Sequence, residues 1–374
     1  MKKKIIVAID SFKGCLSSQE ANQGAAEGIK RVCPDAEVVQ VAVSDGGEGF
    51  LEAFSNAQQV VLSVKDPLMR PVMAKYLMIG KTAVIEMAQA SGLTLLSTEE
   101  RNPLVTTSYG VGQLVADAVR KGAEHIIVGL GGSATSDAGV GMLCALTDAF
   151  VDGQDSEGIS PDERYTRVLD FVRKGLWGKI KELKSVWFTI ASDVKNPLCG
   201  ENGAAHVFAP QKGATPEMVD LLDDKARVFA ASSARYLGFD RSDEAGAGAA
   251  GGLGYAFLQY LDAACKPGID LLLDTIGFDE IVCDADHVIT GEGSADRQTL
   301  MGKLPMGILR HSKGVPVSLI AGRISDREAL LQAGFTHVEC INPPGISLEE
   351  AMRKEVAQEN IRGAVGRMIA VADY

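Results

Sequence analysis

Residue types that commonly hold zinc or form disulfide bonds are scarce in this sequence. Its 374 residues include seven cysteines and five histidines. No pair of cysteines has CxxC spacing, and the histidines show neither HxxxH nor HExxH spacing. Because zinc sites and disulfide frameworks need such clustered residues, the sequence indicates no zinc site. It predicts reduced thiols in the core of a cytoplasmic protein.

The sequence also lacks an excess of positive charge and a long apolar run. The formal net charge is -12, which disfavours nucleic acid or an anionic membrane as a partner. The apolar run near the start ends at Asp10, too early for the core of a signal peptide. The longest uncharged run, 245–261, is rich in glycine and does not suit a membrane span. A small anionic substrate stays compatible with this charge if local cations or a metal offset it.

The stretch 129–139, with the sequence GLGGSATSDAG, joins a predicted strand to a predicted helix. The apolar run 125–128 precedes it, and apolar residues at helical spacing follow it. Its glycines let the backbone approach a ligand, and free N–H groups at the start of the helix favour an anion there. No Gly-Lys-Ser/Thr follows, so it is not a P-loop. The stretch predicts either a phosphate site or a tight turn in which the glycines serve only packing.

The two ends of the chain share one pattern, and the middle has another. Predicted strands separated by helical segments occur near both ends, at 5–9, 37–43, 287–290, 315–321 and 337–341. Short β-rich runs between 60 and 87 predict hairpins instead. We therefore predict an α/β protein of two domains. A Rossmann-like parallel-sheet domain comprises 1–62 plus 277–374, and an inserted α/β domain with the GGSAT loop comprises 63–276.

Acidic or glycine-rich loops follow several of the predicted strands. They are DSFKG (10–14), SDGGEG (44–49), GLGGSATSDAG (129–139), SDVKNPLCG (192–200) and GEGSADRQT (291–299). In open parallel sheets, ligands bind beyond the carboxyl ends of the strands. Carboxylates, a lysine and many backbone donors, without a Ser-His-Asp arrangement, suit phosphoryl transfer with Mg²⁺. Each loop alone also fits a helix cap or a turn.

Ten motifs along nearly the whole chain resemble the bacterial glycerate kinase type I family, in the family's order. They are the five loops above together with DPLMRPV (66–72), IEMAQASGL (85–93), RNPLVTTSYGVGQL (101–114), FAPQKGATPE (208–217) and GAGAAGGLG (246–254). The resemblance implies a kinase that uses ATP and Mg²⁺ to convert glycerate to phosphoglycerate and ADP. It also implies two domains with the active site in the cleft between them. Glycerate and ATP would be its small-molecule partners, and a homodimer is left open.

The resemblance also implies roles for individual residues. Asp193 is expected to be the base that orients the glycerate hydroxyl, with Asp45 as its rival. Lys13 is expected to offset charge on the transferred phosphoryl group, although a solvated lysine fits the sequence equally well. Glu292 and Asp296 are expected to hold Mg²⁺, directly or through water.

Two further groups of residues are expected to bind the substrates. Backbone N–H groups would hold a phosphate along Gly131, Gly132, Ser133, Ala134, Thr135 and Ser136. Contacts to glycerate are expected from Ser11, Arg70, Asn196 and Arg297. Arg70 would pair with a carboxylate, and its alternative role is a surface salt bridge. Lys212 is expected to line the same cleft.

The sequence departs from the family's pattern at a few positions. Ser136 and Ala138 stand where Asn and Gly are usual, and both changes are expected to matter little. The segment 152–185 lacks the usual glycine pair. Ser294 stands where arginine is usual, and Arg297 is expected to replace that cation, with Arg323 as the alternative. Because the usual arginine at 294 is absent, two alternative functions stay open: a kinase for another hydroxy or sugar acid, and a non-catalytic nucleotide-binding relative.

An oxidoreductase that binds a dinucleotide is disfavoured. Such enzymes carry GxGxxG directly after the first strand of the sheet, because the glycines let the backbone approach the pyrophosphate. No GxGxxG follows the predicted strand 5–9, and no acidic residue follows it at the usual spacing. The glycine-rich loops therefore favour phosphoryl transfer over hydride transfer.

Overall fold

The computed structural model describes residues 2–44, 50–54, 57–152, 158–297 and 299–371. The chain divides into two compact units. The first comprises Met1–Asp45, Glu52–Ser55 and Pro267–Tyr374, and the second comprises Gly46–Leu51 and Asn56–Lys266. The sequence-based boundaries fall inside the strand Gln58–Lys65 and at the end of the helix Gly268–Ile276. Those boundaries, and an active site between the two domains, stay predictions.

The described residues form eleven β-strands: β1 Lys4–Ile9, β2 Glu37–Gln40, β3 Gln58–Lys65, β4 Pro71–Ile79, β5 Thr82–Glu86, β6 His125–Gly129, β7 Trp187–Ala191, β8 Ala264–Lys266, β9 His287–Ala295, β10 Val317–Ile324 and β11 His337–Cys340. Shorter 3₁₀ turns lie at Leu51–Ala53, Leu93–Leu95, Trp177–Lys179, Pro210–Lys212 and Thr299–Met301, and a π turn lies at Asp148–Asp152.

The same residues form fifteen α-helices: α1 Ser18–Val32, α2 Ala88–Ser91, α3 Tyr109–Arg120, α4 Val140–Thr147, α5 Pro161–Arg173, α6 Lys181–Lys184, α7 Ala204–Phe208, α8 Pro216–Leu237, α9 Ala249–Leu261, α10 Gly268–Ile276, α11 Phe278–Val282, α12 Leu304–His311, α13 Arg327–Gln332, α14 Leu348–Ala351 and α15 Lys354–Val371. None of the described helices is both long enough and apolar enough to cross a membrane.

The first unit is built on a parallel sheet with the strand order β11-β10-β9-β1-β2. Its inner strand β1 is buried from Ile5 to Ile9, as expected for a continuous apolar run in a parallel sheet. The helices α1 and α15 approach each other closely, since a Cβ on Gly28 would lie 2.4 Å from the carbonyl oxygen of Arg362. The parallel sheet predicted from the two ends of the chain is confirmed.

The second unit contains a mixed sheet with the order β3-β4-β5-β6-β7-β8. The first three strands pair antiparallel, and β5 to β8 pair parallel. Short turns join β3 to β4 and β4 to β5, so these neighbours can pair directly. The hairpins predicted between 60 and 87 are therefore confirmed, as is the α/β class of the protein.

The polar segment 152–185 contains α5 and α6. A capping box opens α5. The Ser160 side chain accepts from the N–H of Glu163, and the Glu163 carboxylate accepts from the N–H of Ser160. Pro161 follows at the first helical position, which suits its fixed φ. These two signals are present in the sequence and mark the start of this helix.

Candidate functional site

The glycine-rich turn, 130–139, leaves the carboxyl end of β6 and leads directly into α4; we call it the glycine loop. β6 lies between β5 and β7, and the three strands are parallel. The segments that follow these strands therefore start at the same edge of the sheet, where open parallel sheets bind ligands. The predicted strand, turn and helix are confirmed.

The carboxylate of Asp137 joins the glycine loop to the beginnings of two helices. Its Oδ2 accepts hydrogen bonds from the N–H and the hydroxyl of Ser108, just before α3, at 2.8 and 2.9 Å. The same oxygen accepts from the N–H of Gly141, and Oδ1 accepts from the N–H of Gly139, each at 3.1 Å. The Thr107 hydroxyl also donates to Oδ2, at 3.4 Å. Five donors near the positive ends of two helices thus stabilise one negative charge.

This network corrects one expectation from the sequence. The N–H groups at the start of α4 are not available to an external anion, because they already donate to the carboxylate of Asp137 in the same loop. The unused donors lie earlier in the loop. Within the described part of the chain, no acceptor receives the main-chain N–H groups of Gly131, Gly132, Ser133, Thr135 and Ser136. Ala134 differs, since its N–H donates to the carbonyl oxygen of Ser91.

Two glycines at the start of α9 let this helix pack directly on the glycine loop. Gly251 and Gly252 have φ values of +66° and +87°, in the left-handed region. A Cβ on Gly251 would lie 1.9 Å from the carbonyl oxygen of Thr135, and one on Gly252 would lie 2.7 Å from the Cα of Ala138. Both positions therefore require glycine. The stretch 246–254 therefore serves close packing at these two positions.

Lys212 lies against the glycine loop and is only 2% exposed. Its Nζ donates to the hydroxyl of Ser133 at 2.8 Å and to the carbonyl oxygen of Thr135 at 2.6 Å. Burial lowers the pKa of Lys212 to about 7, and the negative charge of Asp137 opposes this shift. The charge of this internal lysine therefore depends on its surroundings.

Two hydroxyl groups of the glycine loop are buried without a partner. The Oγ1 of Thr135 and the Oγ of Ser136 have no hydrogen-bond partner among the described residues. Thr135 is 0% exposed and Ser136 is 7% exposed. Buried polar groups are nearly always hydrogen-bonded in native proteins, so unpartnered ones indicate a missing ligand or water.

The segment after β7 carries two of the predicted site residues. Asp193 is exposed, two residues beyond the end of the strand. The side-chain amide of Asn196 donates to the carbonyl oxygen of Asn202 at 2.8 Å, and the Asn196 carbonyl accepts from the N–H of Gly248. The Asn196 side chain therefore helps to hold its own segment, whereas Asp193 is accessible at the strand end.

Arg70 lies in the turn between β3 and β4, where carboxylates of the same chain bind it. Its Nε donates to Asp66 and its Nη1 donates to Glu100, both at 2.6 Å. The Asp66 carboxylate also accepts the N–H of Arg70. This geometry corresponds to the alternative role given to Arg70 from the sequence, a salt bridge within the chain.

In the first unit, Ser11 and Lys13 follow the carboxyl end of β1, and Lys13 is exposed. The buried side chain of Asn22 on α1 fixes this strand end. Its Oδ1 accepts from the N–H of Ile9 at 2.9 Å, and its Nδ2 donates to the carbonyl oxygen of Val41 at 2.8 Å. One amide thus holds the ends of two neighbouring chain segments together, and the loop that carries Ser11 starts from a fixed point.

Glu292 is a buried carboxylate in β9. Its Oε1 accepts from the hydroxyl of Thr299 at 2.6 Å, and the same hydroxyl accepts from the N–H of Asp296 at 3.0 Å. Its Oε2 lies 3.9 Å from the Nζ of Lys303. No group of three or more His, Cys, Asp or Glu residues that could hold a metal occurs in the described ranges. Asp45, the rival base, lies outside the described residues.

The register of β9 and β10 places Arg323 directly beside Ser294. Both residues are exposed. The sequence favours Arg297 as the replacement cation, but its side chain is 82% exposed and its Nε lies 3.6 Å from Asp326. The arginine adjacent to Ser294 is therefore Arg323, because a neighbouring parallel strand brings it there.

Sequence reasoning misses two residues of these sites. Asp137 carries a usable signal, because Asp is a preferred capping residue and stands just before the start of α4. Lys303 carries none, since its approach to Glu292 depends on the path of the turn between them. Both residues place charge next to groups that the sequence does identify.

Ala138 generates a stability prediction, because its φ of +50° lies in the left-handed region. Its alanine is therefore not the minor departure expected from the sequence. We expect Ala138→Gly to keep the free energy of unfolding or raise it by up to about 1 kcal/mol, since relief of strain offsets the added chain entropy. Ala145→Gly, in the buried interior of α4, is the control and should lose about 1 kcal/mol. Urea unfolding of both variants measures this, and equal losses would show that Ala138 is unstrained.

Known proteins resemble this chain over nearly its full length. The glycerate kinase family profile matches residues 5–372. A glycerate kinase of Bacillus subtilis (strain 168) is 44% identical over 356 residues, covering 93% of this chain and 92% of that protein. A glycerate 2-kinase of Escherichia coli (strain K12) is 40% identical over 358 residues, covering 94% and 93%. A crystal structure described as glycerate kinase 2 from Salmonella typhimurium LT2 has a TM-score of 0.78 at 36% identity, covering 98% and 97%. The chain belongs to the glycerate kinase family.

Proposed function

We propose that this kinase transfers the terminal phosphoryl group of ATP to glycerate, giving phosphoglycerate and ADP. Relatives named glycerate kinase at 40–44% identity support the choice of substrate. The observation that carries the proposal is the set of unused N–H groups in the glycine loop, beside the charge of Lys212. Donors that folding has already fixed stabilise phosphate charge without reorganisation, and phosphoryl transfer depends mostly on positioning and charge neutralisation.

Asp193 is proposed to orient the attacking hydroxyl of glycerate and to accept its proton. Its exposure at the end of β7 supports this role, since β7 pairs with β6, the strand that carries the glycine loop. Asp45 stays the rival for the same role. Lys13 is proposed to offset charge on the transferred group, supported by its exposure after β1.

Glu292 and Asp296 are proposed to hold Mg²⁺, directly or through water. The donor set fits this ion, because Mg²⁺ in kinases commonly uses one or two carboxylates and takes its other ligands from phosphate and water. The connection of both residues through Thr299 supports a shared site. When bound, Mg²⁺ would neutralise phosphate charge. The neighbouring Nζ of Lys303 would limit how much negative charge Glu292 presents.

Arg323 is proposed to bind the carboxylate of glycerate, in place of the arginine that the family usually carries at 294. Its exposed position beside Ser294 supports this. Arg70 is a weaker choice because Asp66 and Glu100 already bind its guanidinium. A cytoplasmic location and a homodimer stay predictions.

An assay of glycerate-dependent ADP release tests the proposed function. With Mg-ATP we expect turnover of glycerate, and phosphorus NMR of the product identifies the hydroxyl that is phosphorylated. Asp193→Asn should lower kcat about 100-fold or more, because it removes the base while keeping the size of the side chain. Asp220→Asn on α8, an exposed aspartate outside the proposed site, is the control and should keep the wild-type kcat.

Two outcomes would contradict parts of this account. Turnover of another hydroxy or sugar acid in preference to glycerate would overturn the choice of substrate. If Asp193→Asn keeps the wild-type kcat, Asp45 becomes the proposed base. Asp45→Asn then tests that role.

Arg323→Ala generates a separate prediction about substrate affinity. Removing a charge-assisted hydrogen bond to a carboxylate costs about 1.5–3 kcal/mol, so the KM for glycerate should rise by about 10- to 150-fold. The KM for ATP should stay near the wild-type value. Arg327→Ala, at the start of α13, is the control. A large rise in KM with Arg297→Ala and none with Arg323→Ala would favour the cation first predicted from the sequence.

A further inference from the structure

Lys212 is a buried lysine whose Nζ contacts only neutral acceptors. It donates to the Ser133 hydroxyl and to the Thr135 carbonyl oxygen, which uses both N–H groups of a neutral amine and leaves one donor available once the amine is protonated. Both acceptors are neutral, and no carboxylate of the described residues pairs with Nζ. A charge buried in this way would lack the partner that normally compensates its desolvation, so burial favours the neutral amine. A bound anion would supply the partner that the protonated amine lacks.

The groups around Lys212 point to the kind of ligand that would supply this charge. The hydroxyls of Thr135 and Ser136 are buried without partners, on the same loop that Lys212 contacts. The unused main-chain N–H groups of the loop lie on the same residues and their neighbours. A cation, two hydroxyls and several N–H donors together match the tetrahedral set of oxygens on a phosphate group.

We propose that Lys212 is the cation that binds the ATP phosphates at the glycine loop, and that it takes up one proton from solvent as they bind. This rests on the proposed function, in which the loop binds ATP. Before binding, Nζ is held on the oxygens of Ser133 and Thr135. On binding, the neutral amine gains a proton to become ammonium, and the phosphate oxygens become its acceptors.

The charges around Lys212 give the direction of this proton transfer. Burial lowers the pKa of Lys212 to about 7, and Asp137 opposes the shift. Two other ionisable residues belong to neighbouring segments: His206 lies on α7, which contacts the turn that carries Lys212, and the backbone of Arg101 lies against Gly213. At pH 8 the amine is therefore mostly neutral in the free protein. A bound phosphate raises its pKa, because the anion favours the charged form.

Titration calorimetry of Mg-ATP at pH 8, without glycerate, in buffers of different ionisation enthalpy measures the proton uptake. We expect about 0.9 proton per nucleotide bound, the difference between a group with a pKa of about 7 and the same group held charged. At this pH the nucleotide phosphates are almost fully deprotonated and contribute little. If the wild-type protein binds Mg-ATP but takes up no proton, the proposal is overturned, and this result needs no variant.

Variants separate the proposed role from a merely structural one. Lys212→Met should abolish the uptake and weaken Mg-ATP binding by about 10- to 100-fold. Lys212→Arg keeps a permanent charge and should bind Mg-ATP without uptake. Lys225→Met, which removes a surface lysine paired with Asp162, is the control and should keep both properties. Retained uptake in Lys212→Met would overturn the proposal, whereas a wild-type protein that binds no nucleotide would overturn the proposed function itself.

Discussion

The negative charge of Asp137 is the constraint on which the rest of this site depends. Its carboxylate accepts five hydrogen bonds from residues at the beginnings of α3 and α4, and so fixes the glycine loop against both helices. Because an internal anion fills the helix start, a ligand cannot use those N–H groups. The donors left for a phosphate are those earlier in the loop, from Gly131 to Ser136, with Ala134 as the exception.

The charge of Lys212 is coupled to this carboxylate. The Lys212 Nζ is buried against oxygens of the loop, and its pKa reflects the balance between burial and the attraction of Asp137. Gly251 and Gly252 also pack directly on the loop. The loop therefore holds its donors in place before a ligand arrives, which is the arrangement that favours binding of a charged transferring group.

The sequence predicts the sheets well because apolar runs and turn residues act locally. The runs at 5–9 and 125–128 become buried strands, and the glycine loop joins strand to helix as expected. Contacts that build the site are not local: 29 residues separate Ser108 from Asp137, and 79 separate Lys212 from Ser133. No spacing pattern shows such pairs. Arg297 is near Ser294 in sequence, yet parallel register brings Arg323 to its side.

The affinity of Asp137→Asn for Mg-ATP tests the central claim most directly. The asparagine side chain would place its NH₂ group against the donors of Ser108 or Gly141. Two donors cannot form a hydrogen bond with each other, so the loop should lose its fixed shape. We predict binding at least about 10-fold weaker than wild type, from the loss of one charge-assisted hydrogen bond or more. Asp117→Asn on α3, which removes a carboxylate that binds Tyr76 and Lys121, is the control and should keep its affinity. A folded Asp137→Asn protein with wild-type affinity would contradict the account.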